Sequence, residues 1–385
     1  MLAPQPIEPS KIEARNRRRE RKLWEQPKLG ASLGCPSCPQ FGVCGGLHAT
    51  VGPFDCMGHC CQNPEGCTKM CRLKPHDFVQ RLREIGGFEL ENVARSTIRT
   101  SPTLPPVMPM IFHGNRRQRF FNGPAVAMSL YRLLHRATGQ PKFASEDALR
   151  AEFRLSPETA IVLSGTDQDP PLERWWSYGE EARLSAIAAL KSLGISLVTT
   201  PNYSLFADNP RWDDLHAMKR IALVYEEFSR VGLTAALHVN CRSDRDNERW
   251  TEFVAARPEI GCLAYEFTTG SGRADRQEIH ARWLAKLAAG VGRPLTIVVR
   301  GGLEVLPILT SAFDQVVYLE TSAFMKTMKR QRAMLSGNAG IKWENLPTPI
   351  GADLDDLFEE NVRLTSELIR VLGAPALSLQ QVAAE

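Results

Sequence analysis

No apolar run in this chain approaches the ~18–20 residues that a helix needs to cross a bilayer. A secretory leader is missing as well, because the basic run Lys11–Lys22 leads into Leu-Trp-Glu-Gln-Pro instead of an apolar stretch. The expectation is a cytoplasmic protein without a membrane anchor. Also missing are a Gly-x-Gly-x-x-Gly fingerprint, a P-loop, a serine nucleophile elbow, a His-Glu-x-x-His zinc motif and the kinase signatures. Their absence removes the readiest motif-based assignments. There is no fixed-period repeat, and the net charge of +4 is too small to define a partner. A hydrophobic content of 43% and a charged content of 23% suit a globular protein with a substantial core.

The chain does carry ten cysteines, and eight of them fall within residues 31–76. Their order is Cys35-x2-Cys38-x5-Cys44-x11-Cys56-x3-Cys60-Cys61-x5-Cys67-x3-Cys71, interleaved with His48, His59 and His76. The segment is rich in Gly and Pro and lacks helical or strand periodicity, so it cannot order itself by apolar burial. In a reducing compartment such clustered thiols read as metal ligands. Thiolates are soft donors that select zinc or iron–sulfur clusters, and short spacings let one loop supply several of them. Pro39, directly after Cys38, removes a backbone donor that a zinc knuckle would use, which favours iron–sulfur over zinc.

The stretch Cys35-Pro-Ser-Cys38-Pro-Gln-Phe-Gly-Val-Cys44-Gly-Gly-Leu-His48 resembles part of the auxiliary-cluster motif of SPASM domains in radical-SAM enzymes. That resemblance implies a 4Fe-4S centre. It departs at His48, which stands where the family has a fourth cysteine, and the Cys-x3-Cys-x2-Cys signature of radical-SAM chemistry is absent. A redox role and a purely structural role for the centre both remain open at this level.

Composition divides the chain into a basic tail (1–30), the cysteine module (31–76), a helix and Pro-rich linker (77–106), a main domain (107–375) and a second tail (376–385). Asp77–Ile85 reads as a short amphipathic helix closed by Gly86-Gly87. In the main domain, short β-branched runs predict strands at Met108–Phe112, Ala160–Leu163, Leu197–Thr200, Ala235–Val239, Cys262–Phe267, Leu295–Val299 and Val316–Leu319. Amphipathic patterns predict helices at Ala125–Ala137, Glu180–Leu193, Leu215–Val231, Glu248–Ala256, Arg276–Ala289, Met325–Leu335 and Leu354–Leu372. Regular alternation of the two implies a parallel sheet with right-handed crossovers. The length suits an α/β fold of the (β/α)-barrel (TIM-like) type, with an open doubly wound sheet as the alternative.

Ligands of parallel α/β folds bind beyond the carboxyl ends of the strands, and polar residues gather there in this sequence. His113 and Asn115 follow the first predicted strand, and Ser164, Thr166 and Asp167 follow the second. Asn202, Asp208 and Arg211 follow the third, and His238 and Asn240 close the fourth. Glu266, Arg300 and Glu320 close the last three, the two carboxylates lying within or beside apolar runs. A carboxylate so placed needs a counter-ion or a raised pKa. The expected constellation is Glu266, Glu320 and His238 for proton transfer, Arg300 for anion binding, and Asn202, Asp208, Arg211 and Asn240 for holding the substrate. Gly-rich turns at 269–273 and 300–302 offer backbone N–H groups to a phosphate, or are simply tight turns.

Three basic segments, Lys11–Lys22, Arg116–Arg119 and Lys326–Arg332, together with Phe120, Phe121 and Trp175-Trp176, fit a phosphate backbone with stacked bases or else a solvated face. The passages Thr200-Pro-Asn-Tyr-Ser-Leu-Phe-Ala-Asp-Asn-Pro-Arg211, Ala236-Leu-His-Val-Asn240 and Tyr265-Glu-Phe-Thr-Thr-Gly270 resemble an uncharacterised bacterial and phage family, domain of unknown function 4417. That resemblance covers roughly the second half of the chain. It implies one functional loop containing Asn202, Tyr203, Asp208, Asn209 and Arg211, and no reaction. The reading is a metal-binding barrel enzyme acting on a phosphate-containing or nucleic-acid-related substrate. A non-catalytic nucleic-acid-binding protein with a structural metal module and an iron–sulfur redox sensor are the alternatives.

Overall fold

The computed structural model describes residues 81, 83–205, 211–242, 244–268, 274–336, 340–349 and 351–374. The eight clustered cysteines, His48, His59, His76, the basic run 11–22, Asp208 and Asn209 lie outside them.

The described residues fall into two compact units, one formed by those up to Asn92 with those of Ser204–Arg220 and Cys241–Arg249, the other by those of Val93–Tyr203, Ile221–Asn240 and from Trp250 onward. The first unit is held by polar contacts. Arg81 pairs with Asp213, Glu84 meets the His216 ring at 2.5 Å, and Arg242 pairs with Asp214 at 2.7 Å. Buried Lys219 donates to the Glu89 carbonyl and the Asn92 side chain, and Arg249 donates to the Phe88 carbonyl at 2.7 Å. Arg81, Arg83 and Glu84 are helical and Gly86 follows at φ +67°, while residues 77–80 and 82 of the expected short helix lie outside the described residues.

The second unit is built on eight parallel strands: β1 (Val107–Pro109), β2 (Ala125–Ser129), β3 (Ala160–Ser164), β4 (Ile195–Thr199), β5 (Ala235–His238), β6 (Cys262–Glu266), β7 (Thr296–Arg300) and β8 (Gln315–Glu320). They pair in the order β1-β8-β7-β6-β5-β4-β3-β2. A single bridge, Met110 to Ala127, with the Ile111 amide donating to the Ala127 carbonyl at 2.8 Å, brings the two ends together. The result is a nearly closed, TIM-barrel-like sheet. The interior is filled by alternate residues of every strand: Met108, Met110, Ala125, Ala127, Val162, Leu197, Ala236, Cys262, Ala264, Val298, Val317 and Leu319. Leu104 joins them, so the Pro-rich approach to β1 carries a core residue and is not only a linker.

Nine helices follow among the described residues: α1 (Glu146–Phe153), α2 (Asp169–Ser177), α3 (Glu180–Lys191), α4 (Arg211–Val231), α5 (Asp244–Ala255), α6 (Ala274–Val291), α7 (Leu306–Ala312), α8 (Ser322–Met328) and α9 (Asp355–Leu372). Hairpin strands β9 (Gln331–Ser336) and β10 (Gly340–Asn345) lie between α8 and α9.

Two expected helices are corrected. Ala125–Ala137 is strand β2 followed by a 3-10 turn, Leu130–Leu133. All five residues of β2 are buried, so both faces read apolar and the period that separates strand from helix is lost. Met325–Leu335 is likewise divided: α8 stops at Met328, Arg330 takes φ +53°, and β9 begins at Gln331. A left-handed residue cannot continue a helix, and Ala333, buried beneath the Asn361 side chain that its amide contacts at 2.7 Å, commits the segment to the hairpin.

Candidate functional site

Strand parity sorts the expected site. Continuing the interior set one step toward the carboxyl ends reaches Ser129, Ser164, Thr199, His238, Glu266 and Arg300. An apolar interior is thus topped by a polar layer, as the alternation of a strand dictates. Glu266 and Arg300 stand opposite each other in the β6–β7 register, and the Arg300 Nε lies 2.6 Å from a Glu266 oxygen. The other Glu266 oxygen accepts from the Thr268 amide at 2.8 Å and from the Thr268 hydroxyl. Burial pushes the Glu266 carboxyl above the usual carboxylate range, opposed by the Arg300 charge and the Thr268 donors.

His238 is 1% exposed, and neither ring nitrogen has a hydrogen-bond partner. Its ring stacks on Tyr265 with centroids 5.8 Å apart at 20°, and its own amide donates to the Thr200 hydroxyl at 2.8 Å. Burial, reinforced by the Arg300 charge, drives the imidazole down to about 3, so it is neutral at pH 7. Tyr265 in turn meets His280 of α6, with its hydroxyl 2.5 Å from Nδ1.

Glu320 is separated from this group. It is out of step with interior residues Val317 and Leu319, and its carboxylate accepts from the Ser322 amide at 2.6 Å, the Ala323 amide at 2.9 Å and the Ser322 hydroxyl. Those are the amides at the start of α8, so Glu320 caps a helix instead of facing Glu266 and His238. Asn202 and Asn240 tie loops together: the Asn202 oxygen accepts from the Asp167 amide at 3.3 Å, and the Asn240 amide donates to the Tyr203 carbonyl at 2.9 Å. Arg211 opens α4 in the other unit.

The glycines after β7 have a packing cause. A Cβ at Gly301 would lie 2.7 Å from the Thr268 methyl, and one at Gly302 2.7 Å from the Phe267 ring, while both residues hold positive φ. Only glycine fits that turn, whatever binds nearby.

Several cations of two basic segments have partners within the protein. Arg117 is buried against Phe358, 4.8 Å from the ring centroid, and lies 3.6 Å from Asp355; Arg119 pairs with Asp356. In the third segment Arg332 meets Glu360 at 3.1 Å and Lys326 lies over the Trp343 ring at 5.5 Å. Trp175 is fully buried and stacked on Phe228, so it is no platform for bases, and half-buried Trp176 carries the Arg183 guanidinium at 4.3 Å from its ring centroid.

One recess went unnoticed in the sequence. A cleft of about 660 Å³ opens beyond the carboxyl ends of β1–β3, lined by His113 and Asp167 together with Arg132, Arg136, Lys142 and Arg174. The first two belong to the strand-end set, but the four cations form no contiguous run: Arg132, Arg136 and Lys142 lie along the connection after β2, and Arg174 lies in α2. Phe143, Phe112 and Phe153 supply apolar wall. Burial and the nearby charges of Arg132 and Arg117 lower the His113 pKa, and its Nδ1 is buried without a partner.

A parallel barrel with a polar layer at its carboxyl-end mouth places the chain among TIM-barrel-like α/β proteins. No family model matches the chain, and no curated protein matches it. Among the described residues no helix is long and apolar enough to cross a membrane, and no cluster of metal-ligating side chains occurs.

Proposed function

We propose that the chain is a (β/α)-barrel enzyme acting on a phosphate-bearing substrate at the barrel mouth, with an N-terminal iron–sulfur or zinc module. The observation that carries the catalytic reading is His238, a buried neutral imidazole with two unused nitrogens beside the Arg300 guanidinium. Glu266 occupies the Arg300 Nε and so orients the side chain, while the terminal nitrogens of Arg300, itself 20% exposed, have no protein partner. An anion held there would offset the Arg300 charge and raise the His238 pKa toward the range in which an imidazole accepts a proton from a hydroxyl or a water. Glu266 then positions the anion-binding group and is not itself the base, and Glu320 drops out of the proton-transfer set.

The metal module rests on donor chemistry. Eight thiolates at Cys35, Cys38, Cys44, Cys56, Cys60, Cys61, Cys67 and Cys71 suit 4Fe-4S or zinc, and would order a segment rich in Gly and Pro and without helical or strand periodicity. Such a centre supplies a structural clamp or an electron store.

The test is a panel of phosphomonoesters, phosphodiesters and nucleotides assayed with anaerobically purified protein of measured iron, sulfide and zinc content. Turnover should fall at least about a hundredfold in His238→Gln with the fold intact. Equal turnover by the variant, or none by the wild type on any phosphorylated compound, refutes the catalytic reading. Protein free of both iron and zinc refutes the module.

A further inference from the structure

The cleft beyond β1–β3 gathers in one recess several arginines that have no carboxylate close by. Arg95, Arg117, Arg119, Arg150, Arg183, Arg230 and Arg300 each have a carboxylate within 4.0 Å. Arg132, Arg136 and Arg174 have none, although all three line one recess. Lys142 joins them, held by a 2.8 Å bond from its Nζ to the Arg132 carbonyl, with two further protons to donate. Against these four cations the lining offers two carboxylates. Asp167 accepts from the Gln168 amide at 2.8 Å and lies 3.5 Å from the Ser129 hydroxyl, and Glu152 belongs to α1. Clustering like charge costs folding free energy, so an excess of cations over carboxylates in a recess marks a place where a ligand brings the opposite charge. A single phosphate needs one or two such groups, whereas four spread around a recess match a chain of phosphates.

The rest of the wall has different chemistry. Phe143 is half-buried, edge-on to Phe153 at 5.9 Å, and Phe112 is half-buried beneath the Arg132 guanidinium at 5.1 Å from its centroid. Partly open aromatic surface beside guanidinium planes is the surface on which a flat heteroaromatic ring stacks. His113 adds a neutral ring nitrogen, buried and unpartnered, that can donate to or accept from such a ring or its sugar. A volume of about 660 Å³ holds a small ligand of this kind but not a folded partner.

From the unpaired arginines and the aromatic wall together, the geometry points to a nucleotide site: a nucleoside di- or triphosphate bound with its phosphates on Arg132, Arg136, Lys142 and Arg174 and its base against Phe143. The lining shares no residue with His238, Glu266 or Arg300, so the inference stands apart from the catalytic reading of the barrel mouth.

The experiment is isothermal titration of the full-length protein with ATP, GTP, inorganic pyrophosphate and an oligothymidine. ATP or GTP should bind saturably and at least about tenfold more tightly than pyrophosphate. Arg132→Ala and Arg174→Ala should each weaken that binding by about tenfold or more, in line with loss of a charge-assisted phosphate contact. Arg136→Gln, at an exposed position, repeats the test without burial changes, and Phe143→Ala should narrow the gap between nucleotide and pyrophosphate. His238→Gln should bind nucleotide as the wild type does, which keeps a failure of the mouth chemistry distinct from a failure here. The inference is overturned if no nucleotide binds, if the arginine variants bind as tightly as wild type, if pyrophosphate matches the nucleotides, or if oligothymidine outcompetes them.

Discussion

His238 is a costly residue to keep. A histidine that is neutral when folded and titrates normally when unfolded makes the unfolded state bind more protons at mildly acidic pH. His238 titrates near 3 and His280 near 4, both because of burial, with Arg300 and Arg276 as the respective charged neighbours. Their penalty is absent above the unfolded value of about 6.5 and grows as pH falls toward 4, with a slope of up to about 1.4 kcal/mol per pH unit for each ring. Urea denaturation between pH 7 and pH 4 should show stability falling with acid, and His238→Gln should flatten that fall. An unchanged profile in the variant would mean that the ring is protonated or solvated in the native protein. Tyr265, which carries the His238 ring on one side and meets His280 at 2.5 Å, links the two groups and should make their titrations interdependent.

At the level of elements, Glu320 illustrates what sequence position hides. In the chain it stands at the end of a strand beside an apolar run, just as Glu266 does. One residue of parity separates them, and parity could be read only once the interior set Val317 and Leu319 was known. Removing the Glu320 carboxylate strips three donors at the start of α8 of their acceptor, so Glu320→Ala should cost about 2 kcal/mol while leaving any His238-dependent turnover in place. A loss of turnover without a loss of stability would return Glu320 to the chemistry. The six later strands of the barrel were legible because their β-branched runs are bounded by helical patterns. β2 was not, since Ala, Met and Ser buried on both faces carry no period. Glu266 and Arg300 were legible as partners because adjacent strands ending at the same height must bring them together. The cleft was illegible for another reason: Arg132, Arg136 and Lys142 sit along the connection after β2, part of which reads as helix in the sequence, and they meet Arg174 of α2 only once β2 and β3 pair side by side.

For the whole molecule, the barrel's joint between first and second strand matters most. Seven of the eight neighbouring strand pairs share at least two register positions, and β2–β3 and β6–β7 share five each. β1 meets β2 through one bridge and one amide, that of Ile111. Protection against hydrogen exchange follows the local free energy of opening. Peptides covering residues 107–112 should therefore exchange well before those covering 262–266 and 296–300, as mass spectrometry can measure; uniform protection around the ring would contradict this. The loosest stave also carries Phe112 and His113 into the neighbouring recess. A molecule wedged in that recess would grip both edges of the seam at once, so occupancy should act as a hoop, slowing exchange at Ile111 without touching the distant staves.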